Sequence, residues 1–188
     1  MKIVDLGLLP YEKCNEVLED FIQKAQYEDH LLLCTHHPVY TIGSENYETD
    51  LPVIRTDRGG SITYFDEGCL MLYFAFRVPN PPKFYAKVLC SLDYFFHFFD
   101  KNIQYDKKKP GYYIQNRKIA SLGFRYTGGF SKHGVSLHVD PHLENFNKIA
   151  PCGLSGIKAT SLINEGYNVN METAKTLAIK AVEYGFKA

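Results

Sequence analysis

A mixed α/β fold, with helices covering a largely antiparallel sheet, is what this sequence predicts, and three observations predict it. Segments patterned as strands outnumber those patterned as helices, and several follow one another closely, as antiparallel neighbours do. Three stretches, near 11–25, 83–99 and 172–184, instead repeat apolar residues at three- and four-residue steps. The 188 residues are 45% hydrophobic and 22% charged, enough apolar material to bury the core of a single domain.

The opening KIVDLG alternates enough to be a first strand, and Pro10 marks the start of a helix with Cys14, Val17, Leu18, Phe21, Ile22 and Ala25 on its inner face. Leu31 to Cys34 is short and continuously apolar, as a buried strand should be. The following HHPVYTIGSENYETD is rich in turn formers and reads as a long loop. Short strands are expected at Val53–Thr56 and Ser61–Phe65, separated by the turn Arg58-Gly59-Gly60, with a second apolar run at Leu70–Phe76. Pro79, Pro81 and Pro82 introduce a helix over Lys83–Phe99 that turns Phe84, Val88, Leu92, Phe95 and Phe96 inward. GYYIQ and KIASLGFRY flank Asn116-Arg117, which suits a tight hairpin turn, and SKHGVSLHV adds another alternating segment. A helix from about Glu172 to Tyr184 ends the series.

Composition narrows the function classes. With 21 Lys+Arg against 21 Asp+Glu the net charge is zero, which argues against disorder and against a generally basic nucleic-acid binder. No stretch approaches the roughly 20 apolar residues of a membrane span, and MKIVDLGLLPYEK lacks the apolar run of a secretory signal, so the expected compartment is the cytoplasm. The five cysteines are scattered, with no C-x-x-C pair, so neither a disulfide framework nor a structural zinc site is expected. His36-His37 would point to opposite sides of an extended segment, and Pro141 keeps His138 and His142 off one helix face, so no metal is expected. The 13 Phe and 14 Tyr, concentrated between Tyr64 and Phe99, predict an aromatic core.

Two residues are candidates for chemistry. Cys152 lies in Ala150-Pro151-Cys152-Gly153, where the proline bends the backbone and the glycine removes bulk; such a bend presents a thiol and nearby N–H groups to a carbonyl, and equally suits a buried turn cysteine. A nucleophilic thiolate would require a nearby cation. Lys118 opens KIASLG; the ordinary lysine there is a solvated edge residue, whereas one buried against apolar neighbours can serve as acid or base near neutrality. Arg58-Gly59-Gly60 and His133-Gly134 allow close approach by a thin ligand.

Taken together, LLLCTHHPVYTIG, RGGSIT, KIASLGFR, SKHGVSLHVD and NKIAPCG resemble, in that order, the octanoyltransferases of lipoate biosynthesis over about residues 31–163. The resemblance implies the fold of biotin and lipoate protein ligases, one catalytic domain over 1–188 with a small C-terminal lobe from about 140. It implies transfer of octanoyl from acyl carrier protein to a lipoyl-domain lysine through a thioester on Cys152, with Lys118 as proton-transfer partner and no cofactor. Arg58, Gly59, Gly60, Ser121, Leu122, Gly123, Ser131, His133 and Gly134 would line the substrate tunnel. The implied donor is octanoyl-acyl carrier protein; the implied acceptors are lipoyl domains of 2-oxoacid dehydrogenase E2 subunits and the glycine cleavage H protein, with no nucleic acid or membrane. The alternatives are a non-catalytic acyl- or carrier-binding homologue and an ATP-dependent lipoate protein ligase.

Some positions depart from the resemblance. Phe65 stands where such enzymes have a histidine, Asp66-Glu67-Gly68-Cys69 replaces a Gly-Pro-Gly-Gln turn, His138 replaces an asparagine, and His142 replaces an acidic residue. The only dense basic run is Lys107-Lys108-Lys109; Arg125, Lys132 and Lys148 lie nearer the motifs in sequence.

Overall fold

Alternation along the strands builds one large sheet with a separate core on each face. The computed structural model describes residues 1–100, 102–149 and 157–187. Among these, strands β1 (Lys2–Leu9), β2 (His30–His36), β6 (Cys69–Ala75), β10 (Phe130–His138), β9 (Arg117–Thr127), β8 (Gly111–Ile114) and β7 (Gln104–Asp106) lie side by side in that order. The β1–β2 pair is parallel and the other neighbours are antiparallel. β11 (Lys158–Ala159) joins β9 in parallel just beyond the end of its pairing with β10. A second sheet, in the order β4 (Val53–Arg55), β3 (Val39–Ile42), β5 (Ile62–Phe65), packs over one face.

Successive residues of a strand point to opposite faces. Leu31, Leu33, Leu70, Leu72, Phe74, Val135 and Leu137 therefore enter one core, and Leu32, Cys34, Met71 and Tyr73 the other. Helices α2 (Pro81–His97) and α4 (Met171–Lys187) close the first core. Asn80 caps α2, its side-chain oxygen accepting from the Lys83 N–H at 3.0 Å, and the prolines occupy the first helical positions, where an amide hydrogen would lack a partner in any case. The expected inner face, Phe84, Val88, Leu92, Phe95 and Phe96, is buried. Helix α1 (Tyr11–Lys24) and the small sheet close the second core, and the one-turn α3 (Leu143–Phe146) sets Phe146 into it.

Four expectations need correction. The stretch read as a loop after Cys34 contains β3, because Val39–Ile42 pairs on both sides with β4 and β5, a gain that local turn propensity does not reveal. The hairpin turn is Gln115-Asn116, one residue earlier than expected; Ile114 pairs with Arg117, and Gln115 takes the left-handed conformation such turns demand, with φ 55°. β7 was not expected: it is short and, among the described residues, pairs only with β8. The last helix runs to Lys187.

Candidate active site

A cavity opens between the RGG turn and the β6–β10–β9 face that carries the second core. Its walls come from Tyr11, the turn residues Arg58, Gly60 and Ser61, Met71 and Tyr73 of β6, Ser121, Leu122 and Gly123 of β9, and His133, Gly134 and Ser136 of β10. Small residues on adjacent strands create the groove. Gly134 is obligatory, because a Cβ there would lie 1.9 Å from the Leu72 carbonyl oxygen.

The turn is stapled rather than open. Arg58 is buried, and its guanidinium donates to the carbonyl oxygens of Thr41 (2.8 Å), Ser61 (2.7 Å) and Gly59 (3.0 Å) and to the Thr41 hydroxyl (3.0 Å). The fork expected to meet a ligand thus holds its own loop. Gly59 donates its N–H to the Phe124 carbonyl at 3.2 Å and so fastens the turn to β9. Ser131 does not line the cavity; its hydroxyl donates to the Phe74 carbonyl at 2.7 Å and ties β10 to the end of β6. Gly59 is likewise absent from the lining, whereas Arg58, Gly60, Ser121, Leu122, Gly123, His133 and Gly134 belong to it.

At the cavity wall His133 and Asp57 form a pair that sequence reading did not single out. The His133 Nε2 lies 2.6 Å from an Asp57 carboxylate oxygen, while its Nδ1 is buried without a partner among the described residues. Burial pushes the imidazole down to about 4, so it is neutral, donates through Nε2 and keeps a lone pair on Nδ1. Partial burial works against ionisation of Asp57, but the bond from His133 and the nearby Lys132 ammonium outweigh it and hold the carboxyl below its usual value. His133 has φ 66°, a left-handed conformation costing on the order of 1 kcal/mol or more in a non-glycine residue. Nothing in the spacing of positions 57 and 133 announces this contact.

Lys118 is not the solvated edge residue that its place in the sequence suggests. It is 2% exposed, its Nζ donates to the Pro110 carbonyl at 3.1 Å and lies 5.6 Å from the Tyr113 ring centroid. Gly111 makes the room, since a Cβ at that position would come within 2.5 Å of the Lys118 Cε. β11 pairs Ala159 with Lys118, and the Thr160 N–H donates to the Lys118 carbonyl at 2.8 Å. Cys152 lies outside the described residues, as do its immediate neighbours; the described chain ends at Ile149 and resumes at Ile157, one residue before the strand that pairs with Lys118.

His138, one of the departures, faces the same region. Its Nδ1 donates to the Thr160 carbonyl at 3.0 Å, its ring packs 4.7 Å from Phe146, and its Nε2 is buried without a partner among the described residues. Burial pushes its pKa down to about 4, with the Lys118 charge acting in the same direction, so it too is a neutral acceptor. Two other departures meet each other. The fully buried Asp66 carboxylate accepts from the Gly68 N–H, the His142 N–H and the His142 ring, at 2.9, 2.8 and 3.0 Å. The changed turn and the changed acidic position are thus hydrogen-bonded to each other, and the bond to Asp66 raises the His142 pKa. Phe65 is buried and stacks on Tyr11 with centroids 6.0 Å apart.

Among the described residues one cluster has metal-ligating atoms together, Cys14, Cys34 and His36. Both His36 nitrogens are already engaged, Nδ1 with the Leu9 carbonyl at 3.0 Å and Nε2 with the Tyr73 hydroxyl at 2.8 Å, and burial raises the Cys34 thiol pKa well above its ordinary value. The cluster satisfies itself as core.

The profile of the lipoyl protein ligase A/B catalytic domain matches residues 13–183. A protein named octanoyltransferase from Wigglesworthia glossinidia brevipalpis is 32% identical over 185 residues, 93% of this chain and 86% of that protein. Another so named, from Neisseria meningitidis serogroup C, is 34% identical over 86% of this chain and 84% of that protein. In fold, the bi-partite lipoate protein ligase of Thermoplasma acidophilum, studied with its E2 lipoyl domain, superposes with a TM-score of 0.76 at 10% identity, covering 99% of this chain and 83% of that one.

Proposed function

We infer that this chain, which belongs to the lipoyl protein ligase A/B catalytic-domain family, is an octanoyltransferase that moves an octanoyl group from the thioester of an acyl carrier protein to a lysine of a lipoyl domain. The observation that carries the reading is the burial of Lys118 on the sheet that also walls the cavity, in a chain whose relatives of nearly equal length bear that name. In this reading the Cys152 thiolate attacks the octanoyl carbonyl; a carbon–sulfur bond forms, the bond to the carrier sulfur breaks, and the departing thiolate takes a proton from Lys118. The acceptor amine then attacks the acyl-enzyme, a carbon–nitrogen bond forms, Cys152 leaves, and Lys118 removes the proton from nitrogen. Thioester to amide runs downhill, so the cycle needs no ATP. The cavity takes the alkyl chain, with Gly134 and Gly123 letting it lie close against the strands. The donor is octanoyl-acyl carrier protein, the acceptors are lipoyl domains of 2-oxoacid dehydrogenase E2 subunits and the glycine cleavage H protein, and the reaction belongs in the cytoplasm. No helix of the described residues is long and apolar enough to cross a membrane.

Incubation with octanoyl-acyl carrier protein is expected to add one octanoyl mass to the intact protein, and Cys152→Ala to abolish both the adduct and the transfer. An alanine variant that still transfers would sink the assignment. Phe65, in place of a histidine, favours a second reading, a non-catalytic carrier-binding homologue; that protein would bind the acylated carrier stoichiometrically and release no free carrier thiol.

A further inference from the structure

Basic side chains around the site fall into two groups. Beside the RGG turn they are neutralised within the fold: Arg125 lies 3.3 Å from Asp57, and Lys132 sits between Asp57 at 3.3 Å and Glu19. At the Lys118 end the pattern reverses. Lys107, Lys108 and Lys109 stand exposed on the turn between β7 and β8, and Lys148 and Lys158 stand exposed at either border of the stretch that carries Cys152. None of these five ammonium groups forms an ion pair among the described residues; that of Lys148 meets the neutral Asn145 amide oxygen at 2.8 Å. The acid within the turn, Asp106, accepts the backbone N–H of Lys108 at 2.8 Å and so shapes the turn.

The triple-lysine turn is joined directly to the surroundings of Lys118. The Lys118 ammonium donates to the carbonyl of Pro110, the residue after Lys109, and the Tyr113 hydroxyl donates to the Lys109 carbonyl at 2.8 Å. A chain of zero net charge thus concentrates three lysines, none in an ion pair among the described residues, beside the amine expected to move the proton, with Asp100 and Asp106 on the groove that Lys107 also lines. Such a field raises the encounter rate of an anionic partner and selects against a cationic one. The two protein substrates differ here. Both are expected to be acidic small domains, but the donor adds the charge of the phosphodiester from which its acyl arm hangs, whereas the acceptor's reacting group is a lysine, a cation until it loses its proton.

We propose that the Lys107–Lys109 turn is the docking surface for the acidic, phosphopantetheine-bearing acyl carrier of the donor; this rests on the octanoyltransferase reading. Its test compares two donors in acylation of the intact protein, followed by mass: octanoyl-acyl carrier protein, and octanoyl-pantetheine, which carries neither the carrier nor the phosphate. In the variant Lys107→Glu/Lys108→Glu/Lys109→Glu the concentration of acylated carrier giving half-maximal rate is expected to rise about ten-fold or more, and the fall in rate with added salt seen for the unaltered protein should flatten. The rate with octanoyl-pantetheine should stay within about two-fold. Should charge reversal impair folding, Lys→Gln at the same three positions carries the same comparison. Unchanged use of the carrier donor, equal loss with both donors, or a defect confined to the acceptor would each overturn the proposal. An unaltered protein that accepts octanoyl from neither donor would instead overturn the function reading itself.

Discussion

Lys118 depends on an absence of atoms at Gly111. A lysine carries a long flexible stem whose burial costs up to about 2 kcal/mol in rotamer freedom, and the backbone carbonyl at Pro110 gives its buried ammonium a hydrogen-bond partner. Gly111→Ala would put a methyl group 2.5 Å from the Lys118 Cε and 2.8 Å from the Ala120 carbonyl oxygen. The side chain can yield but the strand carbonyl cannot, so the variant is expected to lose about 1–3 kcal/mol of stability and to acylate at least about ten-fold more slowly, measured by denaturant titration and by intact mass. Acylation at the parent rate would show that the position of the amine is not set by this contact. The spacing of Pro110, Gly111 and Lys118 in the sequence suggested a hairpin and nothing more; the slot forms only once β8 and β9 pair, with a register shift between Tyr112 and Tyr113, and bring Gly111 against the Lys118 stem.

Elements were the most legible level, and strand β9 shows where legibility stopped. Its sequence named a strand, yet it pairs with β10 along most of its length and with β11 at Arg117–Lys118, so that the segment returning after the cysteine is stitched beside the lysine. The three long helices were found because their stripes report directly which face meets the core, whereas the one-turn α3 is too short to carry such a stripe. The contact between α2 and α4 was not readable. It turns on Gly185, where a Cβ would lie 2.2 Å from the Ser91 hydroxyl and 2.7 Å from the Lys87 carbonyl oxygen. Alanine improves helix propensity by about 1 kcal/mol, but overpacking against backbone costs about 1–3 kcal/mol, so Gly185→Ala should destabilise the fold. Acylation per folded molecule should be unaltered, because this contact lies on the face opposite the cavity. A rise in melting temperature would mean that the two helices shift apart freely.

At the scale of the whole molecule, two buried neutral imidazoles make stability depend on pH. His133 and His138 have pKa values near 4 in the folded chain against an ordinary 6.5, so below about pH 6.5 the unfolded chain takes up protons that the folded chain refuses. Their contribution is complete above that pH and declines until about pH 4, where the folded rings are protonated as well; each is worth up to about 3 kcal/mol. The exposed His142 has the opposite sign, its raised pKa adding stability that fades as the pH rises, and solvent screens it. The urea midpoint should therefore fall between pH 7 and pH 4.5, and His138→Asn, which restores the amide type that such enzymes carry there, should fall by distinctly less. Equal losses in both proteins would place the titrating groups elsewhere.

Sequence alone determined the three long helices and most strands, the aromatic core, the order of the motifs that resemble octanoyltransferases, and Lys118 and Cys152 as the residues to test. These are local properties, carried by periodicity, turn chemistry and residue order along the chain. Tertiary structure decided that Lys118 is buried, that Arg58 braces its own loop, that Ser131 ties strands, and that Asp57 and His133, 76 positions apart, share a hydrogen bond. Burial and pairing of this kind arise only when strands distant in sequence become neighbours, and free energy then follows from the company a side chain keeps.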